Sequence, residues 1–376
     1  MTALAFTCEA SALAKALRDV RSVVKKRNTM PILDNVLIEA TTDGVLITTT
    51  DMDLTAIRTL PATVLTAGTI TVDAEKLTGI AGALEAGAQA KLEVIEGGRL
   101  RLTSGRAKLH FATIPADGFP KPIIGEPQAS ITVASQDLLR PVNIVRRFAT
   151  FSILSRPWLC GVFMRPAANG ERLEFFAADD LAGHAGTCAM PIPEGGRAIP
   201  PSILPNSFIA ALCSAAPEAD DVLLELAGSY VRARVGPMVI ASKLIEGQYP
   251  DVGKVAEAEQ RHRFMVDAAD LAGALTRIKL MRTDKDTGLW LDVGKTTLTV
   301  SGAATVTGEE GVEQMPCEFD GEPFRIAFRA NQLGTALDAL KCDTVEFAFT
   351  ETFGAPVCLR SAASRDATLI VMPFRL

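Results

Sequence analysis

The residues able to do chemistry are few and scattered. The three histidines are His110, His184 and His262. His184 and Cys188 stand four positions apart and could serve as general base and thiol nucleophile, but nothing nearby marks an orienting third group or an oxyanion donor. The segment Asp292-Val293-Gly294-Lys295-Thr296-Thr297 has the ending of a phosphate-binding loop. That motif needs a glycine five residues before Gly294, and position 289 is Leu. Flanked by Leu289-Trp290-Leu291 and Leu298-Thr299-Val300, it reads as a hairpin turn, without the helix N-terminus that would hold a phosphate. Asp179-Asp180 and Asp51 with Asp53 could hold a cation, although adjacent carboxylates on turns are commonly solvated. The cysteines, Cys8, Cys160, Cys188, Cys213, Cys317, Cys342 and Cys358, are odd in number and form no CxxC pair. Neither a disulfide framework nor a zinc site is expected, and no metal or cofactor.

Basic residues at helical spacing are the stronger signal. Leu13, Leu17, Val20 and Val24 form an inward stripe, while Lys15, Arg18, Ser22 and Lys25 recur on the other face and Lys26-Arg27 extend the charge into a loop. Arg140, Asn143 and Arg147 repeat that spacing beside Leu138, Val142 and Val145, with Pro141 predicting a short or kinked helix. In a third helix, Asp267 is the expected N-cap, Leu271, Leu275 and Ile278 face inward, and Arg277 and Lys279 lie near the end. The formal net charge is −6 with a pI near 5.3, so a protein gripping nucleic acid with its whole surface is excluded. A local basic lining made by Lys25, Lys26, Arg27, Arg146, Arg147 and Arg277 is not.

The elements that carry these helices recur three times. A short strand and a helix occupy Phe6 to Val24, Ile131 to Phe148 and Phe264 to Met281. Further strands and a second helix fill Ile70 to Pro115, Ala198 to Val252 and Phe324 to Leu376. The second helices are placed at Asp73 to Leu84, Pro201 to Leu212 and Arg329 to Lys341. Units of about 120 residues are too long for a solenoid repeat and suit globular domains. The expected fold is α+β, with three tandem similar domains at 1–125, 126–256 and 257–376, each with two helices on antiparallel sheets. A chain of 376 residues with 48% hydrophobic content can bury that many cores. The N-terminus has no basic region followed by an apolar one, and no apolar run reaches the roughly 18 residues of a membrane span. A cytoplasmic protein is therefore expected, with no membrane partner.

Ordered motifs along the three copies resemble one known family. They are Met30-Pro31-Ile32-Leu33 with Asn35, Thr50-Asp51-Met52-Asp53-Leu54, Ser104-Gly105-Arg106 running to Ile114-Pro115, Phe119-Pro120, Ser242-Lys243-Leu244, Tyr249-Pro250-Asp251 and Met372-Pro373-Phe374-Arg375-Leu376. Over essentially its whole length the chain resembles the bacterial DNA polymerase III beta subunit, the sliding clamp. The resemblance implies a non-catalytic processivity factor: a head-to-tail homodimeric ring of six domains around double-stranded DNA, bound without regard to sequence. It also implies partners, namely the replicative polymerase, the clamp loader and repair polymerases, held through short linear motifs.

Residue roles follow from the same resemblance. Arg27, Arg106, Arg156 and Trp158 match positions near DNA, and a core role for Trp158 stays open. Leu109 and Phe111 match one side of the dimer contact, with Ile278 and Leu280 opposite. The partner groove would take Leu159, Ala178, Pro250, Val255, Pro356, Ile370, Met372, Pro373 and Phe374, completed by Arg375 and Leu376. One stretch departs. Where the family has Thr-Asp-Gly-His-Arg-Leu, this chain has Ala178-Asp179-Asp180-Leu181-Ala182-Gly183-His184, which points to a reshaped groove with altered peptide preference or to a specialised second clamp. The other function class in view is a cysteine-dependent hydrolase on a repeated α+β scaffold, for which three equivalent basic helices would have no use.

Overall fold

Apolar residues alternating along Ala5–Glu9 and then recurring every three to four positions from Ala10 make a strand that runs directly into α1, Ala10–Arg21. Leu13, Leu17 and Val20 are buried as one stripe. The structure, a computed structural model, describes residues 4–24, 29–121, 125–152, 156–281, 288–303, 309–350 and 354–374. The same strand-to-helix step recurs in Ala129–Ala134 with α3, Ser135–Val145, and in His262–Asp267 with α6, Ala268–Leu280. A second set of helices follows later strands: α2, Ala74–Gly82; α4, Asn206–Ala215; and α7, Ala330–Leu340. Asp73 Oδ1 accepts from Lys76 N at 2.8 Å and Asp267 Oδ1 from Asp270 N at 2.9 Å, so α2 and α6 begin on carboxylate caps.

One helix holds a proline in its interior and another starts later than expected. α3 continues through Pro141. Leu138, Val142 and Val145 are all buried, and that packing outweighs the one backbone bond a proline cannot donate. α4 starts at Asn206 rather than near Pro201, because Ser202–Pro205 pairs as a strand with Gly161–Pro166. A seventh helix, α5, Val252–Glu257, had no counterpart in the sequence reading.

The chain forms two compact units, Met1–Gln136 with Ser207–Leu244, and Asp137–Asn206 with Ile245–Leu376. In the first unit the strands Gly68–Asp73, Asn35–Thr41, Gly44–Thr50 and Leu54–Leu60 continue through Met238–Lys243, Tyr230–Val235, Asp221–Ala227 and Ala129–Ala134 in one nine-stranded sheet. The join is antiparallel, with Ile57 opposite Val239. The second unit repeats this plan: Ser202–Pro205, Gly161–Pro166, Arg172–Asp179 and His184–Pro191 continue through Ser364–Val371, Val357–Ser361, Thr344–Phe349 and His262–Asp267. Here Ala185 lies opposite Ile370. Each unit adds a smaller sheet, five-stranded in the first and four-stranded in the second. The second unit's core is aromatic, with Phe264 stacked on Phe347 at 4.6 Å. The α+β expectation holds.

Candidate functional site

A row of small side chains crosses five neighbouring strands of the second unit. Ala178 pairs with Ala185, Ala185 with Ile370, Ile370 with Cys358, and Cys358 with Ala348. Four of the five are Ala or Cys, so the sheet surface is low along this line and a helix can settle onto it. α5 does so, placing Val252 and Ala256 in the same apolar cluster with Leu159 and Phe176. Trp158, Phe163, Tyr249 and Val255 pack around its rim.

Arginines hold α5 at both ends. Arg165 pairs with Glu174 at 3.0 Å, reaches Asp251 at 3.9 Å and lies over the Phe176 ring at 4.8 Å. At the other end, Arg360 Nη2 donates to Ala256 O at 2.6 Å. Tyr249 stacks on Phe163 with centroids 5.1 Å apart, and burial pushes its phenol pKa up. Gly247, at φ +147, lies against Trp158, where an added Cβ would stand 2.8 Å from the Trp158 Cβ. A side chain at 247 would push the indole off the rim.

The tail is tied to this surface. Met372 N donates to Gly183 O at 2.9 Å and Phe374 N to Ala327 O at 2.7 Å, with the Arg329 guanidinium 5.1 Å over the Phe374 ring. Within the divergent segment 178–184, residues 180–183 form a tight turn joining two strands. Asp179 Oδ1 accepts from both Leu181 N and Ala182 N at 3.0 Å, and Gly183 N donates to Asp179 O at 2.9 Å. Gln332 donates to Ala182 O, tying the turn to α7. Leu181 is left 65% exposed beside it.

Of the expected groove residues, Leu159, Ala178 and Ile370 lie inside the cluster and Val255 packs on it. Pro250 leads into α5, Pro356 precedes Val357, which pairs with Val371, and Met372, Pro373 and Phe374 follow that strand. Arg375 and Leu376 lie outside the described residues. Sequence reasoning missed Phe176, Ala185, Val252, Ala256, Ala348 and Cys358. A six-residue helix with glycine at its second position shows no periodicity, although the Tyr249-Pro250-Asp251 motif marks the place.

The basic side chains are largely engaged. Arg156 Nε meets Asp180 at 3.1 Å. Arg277 makes two bonds to Glu313, at 2.7 and 2.6 Å, which raise its own pKa and lower that of Glu313. Lys15 is held by Glu218 at 2.5 Å and Asp19 at 3.4 Å, and Arg58 joins the same two carboxylates. Arg147 is exposed and lines an open cavity of about 890 Å³ with Arg140, Asn143 and Lys341. Arg106 is exposed on a hairpin turn whose Gly105 has φ +55. Trp158 packs against the apolar cluster under α5. Lys25, Lys26 and Arg27 lie outside the described residues.

Four residues were assigned to a contact between copies. Leu109 is half-buried on Ala107–Phe111, the edge strand of the five-stranded sheet, and Phe111 is 6% exposed. Ile278 is 2% exposed, whereas Leu280 is 81% exposed and its neighbour Met281 45%. Met281 had no role in the sequence reading; only burial separates it from the inward stripe of α6.

The hydrolase reading fails on geometry. His184 and Cys188 lie on one strand, His184–Pro191, which sets them about 13 Å apart at strand rise. Burial pushes the Cys188 thiol up to about 11 and the His184 imidazole down, the reverse of a reactive pair. The segment 292–297 is a hairpin turn, with Gly294 N donating to Thr297 O at 2.9 Å. No described helix is long and apolar enough to cross a membrane.

Similarity to known proteins spans the chain. The family model for the DNA polymerase III beta subunit N-terminal domain matches residues 4–123, and that for its C-terminal domain residues 254–375. The beta sliding clamp of Caulobacter vibrioides (strain NA1000 / CB15N) is 30% identical over 376 residues, covering 98% of this chain and 99% of that one. That of Escherichia coli (strain K12) is 28% identical, covering 99% and 100%. Among solved structures, the C. crescentus beta sliding clamp with polyethylene glycol at a proposed beta-motif tethering region superposes with a TM-score of 0.94 at 28% identity, covering all of both chains. The DnaN sliding clamp of Bartonella birtlesii bound to griselimycin also gives 0.94, at 25% identity and the same coverage.

Proposed function

Because the chain belongs to the DNA polymerase III beta-subunit family, we propose that two copies close head to tail into a ring that encircles duplex DNA and tethers polymerases and other replication or repair proteins to it. The observation that carries this is full-length similarity to sliding clamps, on a chain whose two nine-stranded sheets repeat one plan. Three similar domains, 1–125, 126–256 and 257–376, account for that plan: the strands of each copy continue into those of the next. The ring acts in the cytoplasm and catalyses nothing itself.

Enclosure explains why the basic side chains are so often paired. A ring that cannot leave DNA sideways needs only weak, sequence-independent phosphate contacts, and tight ones would stall sliding. Arg106, Arg147 and, from the sequence, Lys25, Lys26 and Arg27 are the cations proposed to meet DNA; Arg156 and Arg277 reach it only by leaving Asp180 and Glu313. Closure joins two different strand edges. Ala107–Phe111 carries Lys108 after Arg106, and Glu310–Pro316, the edge of the four-stranded sheet, carries the exposed Glu310 with Val312 59% exposed. Opposite charges on unlike edges favour the heterologous contact that two copies close by two-fold symmetry. Leu109 sits on the first edge and Leu280 with Met281 beside the second, while Phe111 and Ile278 support them from within each copy. Partner peptides bind over Leu159, Ala178, Val255, Pro250, Pro356, Ile370 and Met372 to Phe374, with a few apolar anchors dominating.

The test is retention on nicked circular DNA after loading by a clamp loader. Retention that survives gel filtration and disappears on linearisation supports the ring. Retention indifferent to linearisation, or a single copy without a central hole in particle images, overturns it.

A further inference from the structure

The arginines around the apolar cluster and the tail of the second unit are bonded, with one exception. Arg156 meets Asp180 at 3.1 Å, Arg165 meets Glu174 at 3.0 Å, and Arg360 donates to Thr368 Oγ1 at 3.0 Å and to Ala256 O at 2.6 Å. Arg329 has only a ring. Its guanidinium lies 5.1 Å over Phe374, its Nε is buried without a partner, and its terminal amino groups make no hydrogen bond among the described residues.

The surroundings leave this charge unanswered. Arg329 ends the strand Phe324–Arg329 and stands at the N-cap position of α7, where its side chain makes no bond to the helix and the first turn holds no acidic residue. A cation there faces the positive end of the helix dipole. The carboxylates of the divergent turn are engaged elsewhere, Asp179 by the N–H groups of Leu181 and Ala182 and Asp180 by Arg156. Phe374 N donates to Ala327 O, two residues before Arg329, and Met372 N to Gly183 O, so the guanidinium stands at the tail end of the groove proposed above. A buried donor without an acceptor, on a cation without a counter-charge, suits an anion supplied from outside the chain.

We propose, on the strength of the groove reading, that Arg329 is a specificity-determining residue of that groove: it selects partner motifs carrying an aspartate or glutamate beside their apolar anchors. Stacking on Phe374 occupies the face of the guanidinium and leaves its edge free. A carboxylate is the peptide group that matches such an edge, taking two parallel N–H bonds.

The probe is a labelled polymerase-derived clamp-motif peptide in which each polar position is in turn Asp or Asn, titrated with the full chain and followed by fluorescence anisotropy. On the native chain at least one position favours Asp over Asn by about fivefold, as a half-buried charge-assisted bond would. Added salt shrinks that preference. Arg329→Gln removes it, Arg329→Lys keeps part of it and Arg329→Glu reverses it. Because Asp and Asn peptides are compared on the native chain as well, the proposal can fail without any variant. Peptides that bind with no preference for Asp at any position overturn it and leave the groove standing. So does a preference that survives Arg329→Gln, or a loss in that variant shared equally by Asp and Asn peptides, which would make Arg329 a mere prop for Phe374. Binding of no peptide by the native chain overturns the groove reading itself, and this proposal with it.

Discussion

In the second unit the apolar cluster under α5 and the exposed arginines are built in opposite ways. Around the apolar cluster, α5 and the tail are tied down by Arg165, Arg360 and backbone bonds at 183 and 327, so a peptide docking there, as proposed above, would meet a preformed surface. On the basic surface Arg156 and Arg277 are already spoken for by Asp180 and Glu313. A peptide that must be selected needs fixed shape, whereas a duplex that must slide past needs charge that is present but weakly committed.

Several measurements can break or sharpen this contrast. Ending the chain after Val371 should weaken binding of a polymerase-derived clamp-motif peptide by about 100-fold or more in anisotropy titrations, as expected when a groove loses its anchoring side chains. Little change would mean that the tail is not part of the groove. Next, Leu280→Asp with Met281→Asp should turn dimers into folded monomers in sedimentation at micromolar concentration, with dissociation up by about 100-fold for a charged disruption of an apolar contact. Ile278→Asp should instead unfold the chain, since Ile278 is buried within one copy. Arg147→Glu should shorten retention on nicked circular DNA several-fold and lower the salt slope by about 1. Arg277→Glu should do less, because that guanidinium is already bound. Asp180→Asn, which releases Arg156, should lengthen retention by about twofold, comparable to one exposed ion pair.

The smallest effect is on stability against pH. The Glu346 carboxylate is buried and held below its ordinary pKa, chiefly by its bonds to Arg365. Its contribution is complete above the unfolded-state carboxylate pKa and is lost as pH falls through the lower folded value. Glu346→Gln should therefore flatten the acid limb of the thermal melting profile while leaving the neutral groove titration nearly unchanged.

Much of the fold was legible because it rests on local pattern. The stripe Leu13, Leu17, Val20 and the cap Asp267 announce their helices wherever they occur. The turn at 292–297 was readable from its flanking alternation. α5 was not, since six residues with a glycine carry no period, and its stability comes from the low row of Ala178, Ala185, Ile370 and Cys358 beneath it. Pro141 was read as shortening or kinking its helix; α3 holds it within eleven residues, with Leu138, Val142 and Val145 buried around it.

Fewer of the site residues could be weighed in advance. Leu159, Ala178 and Ile370 were placed by motif position, while Phe176 and Ala348 join them only through strand pairing. Arg156 and Arg277 looked like free cations. Their partners stand 24 and 36 positions away along the chain, beyond the reach of any spacing rule.

By itself the sequence determined the threefold recurrence of strand and helix, the acidic balance and the motifs that identify the family, because these depend on composition and on neighbours within a turn or a hairpin. Only tertiary structure decided which charges are spent on one another, which apolar side chains remain at the surface and where a floor of small residues lies low enough to admit a helix. Those properties arise from registers between strands far apart in the chain, and no local pattern encodes them.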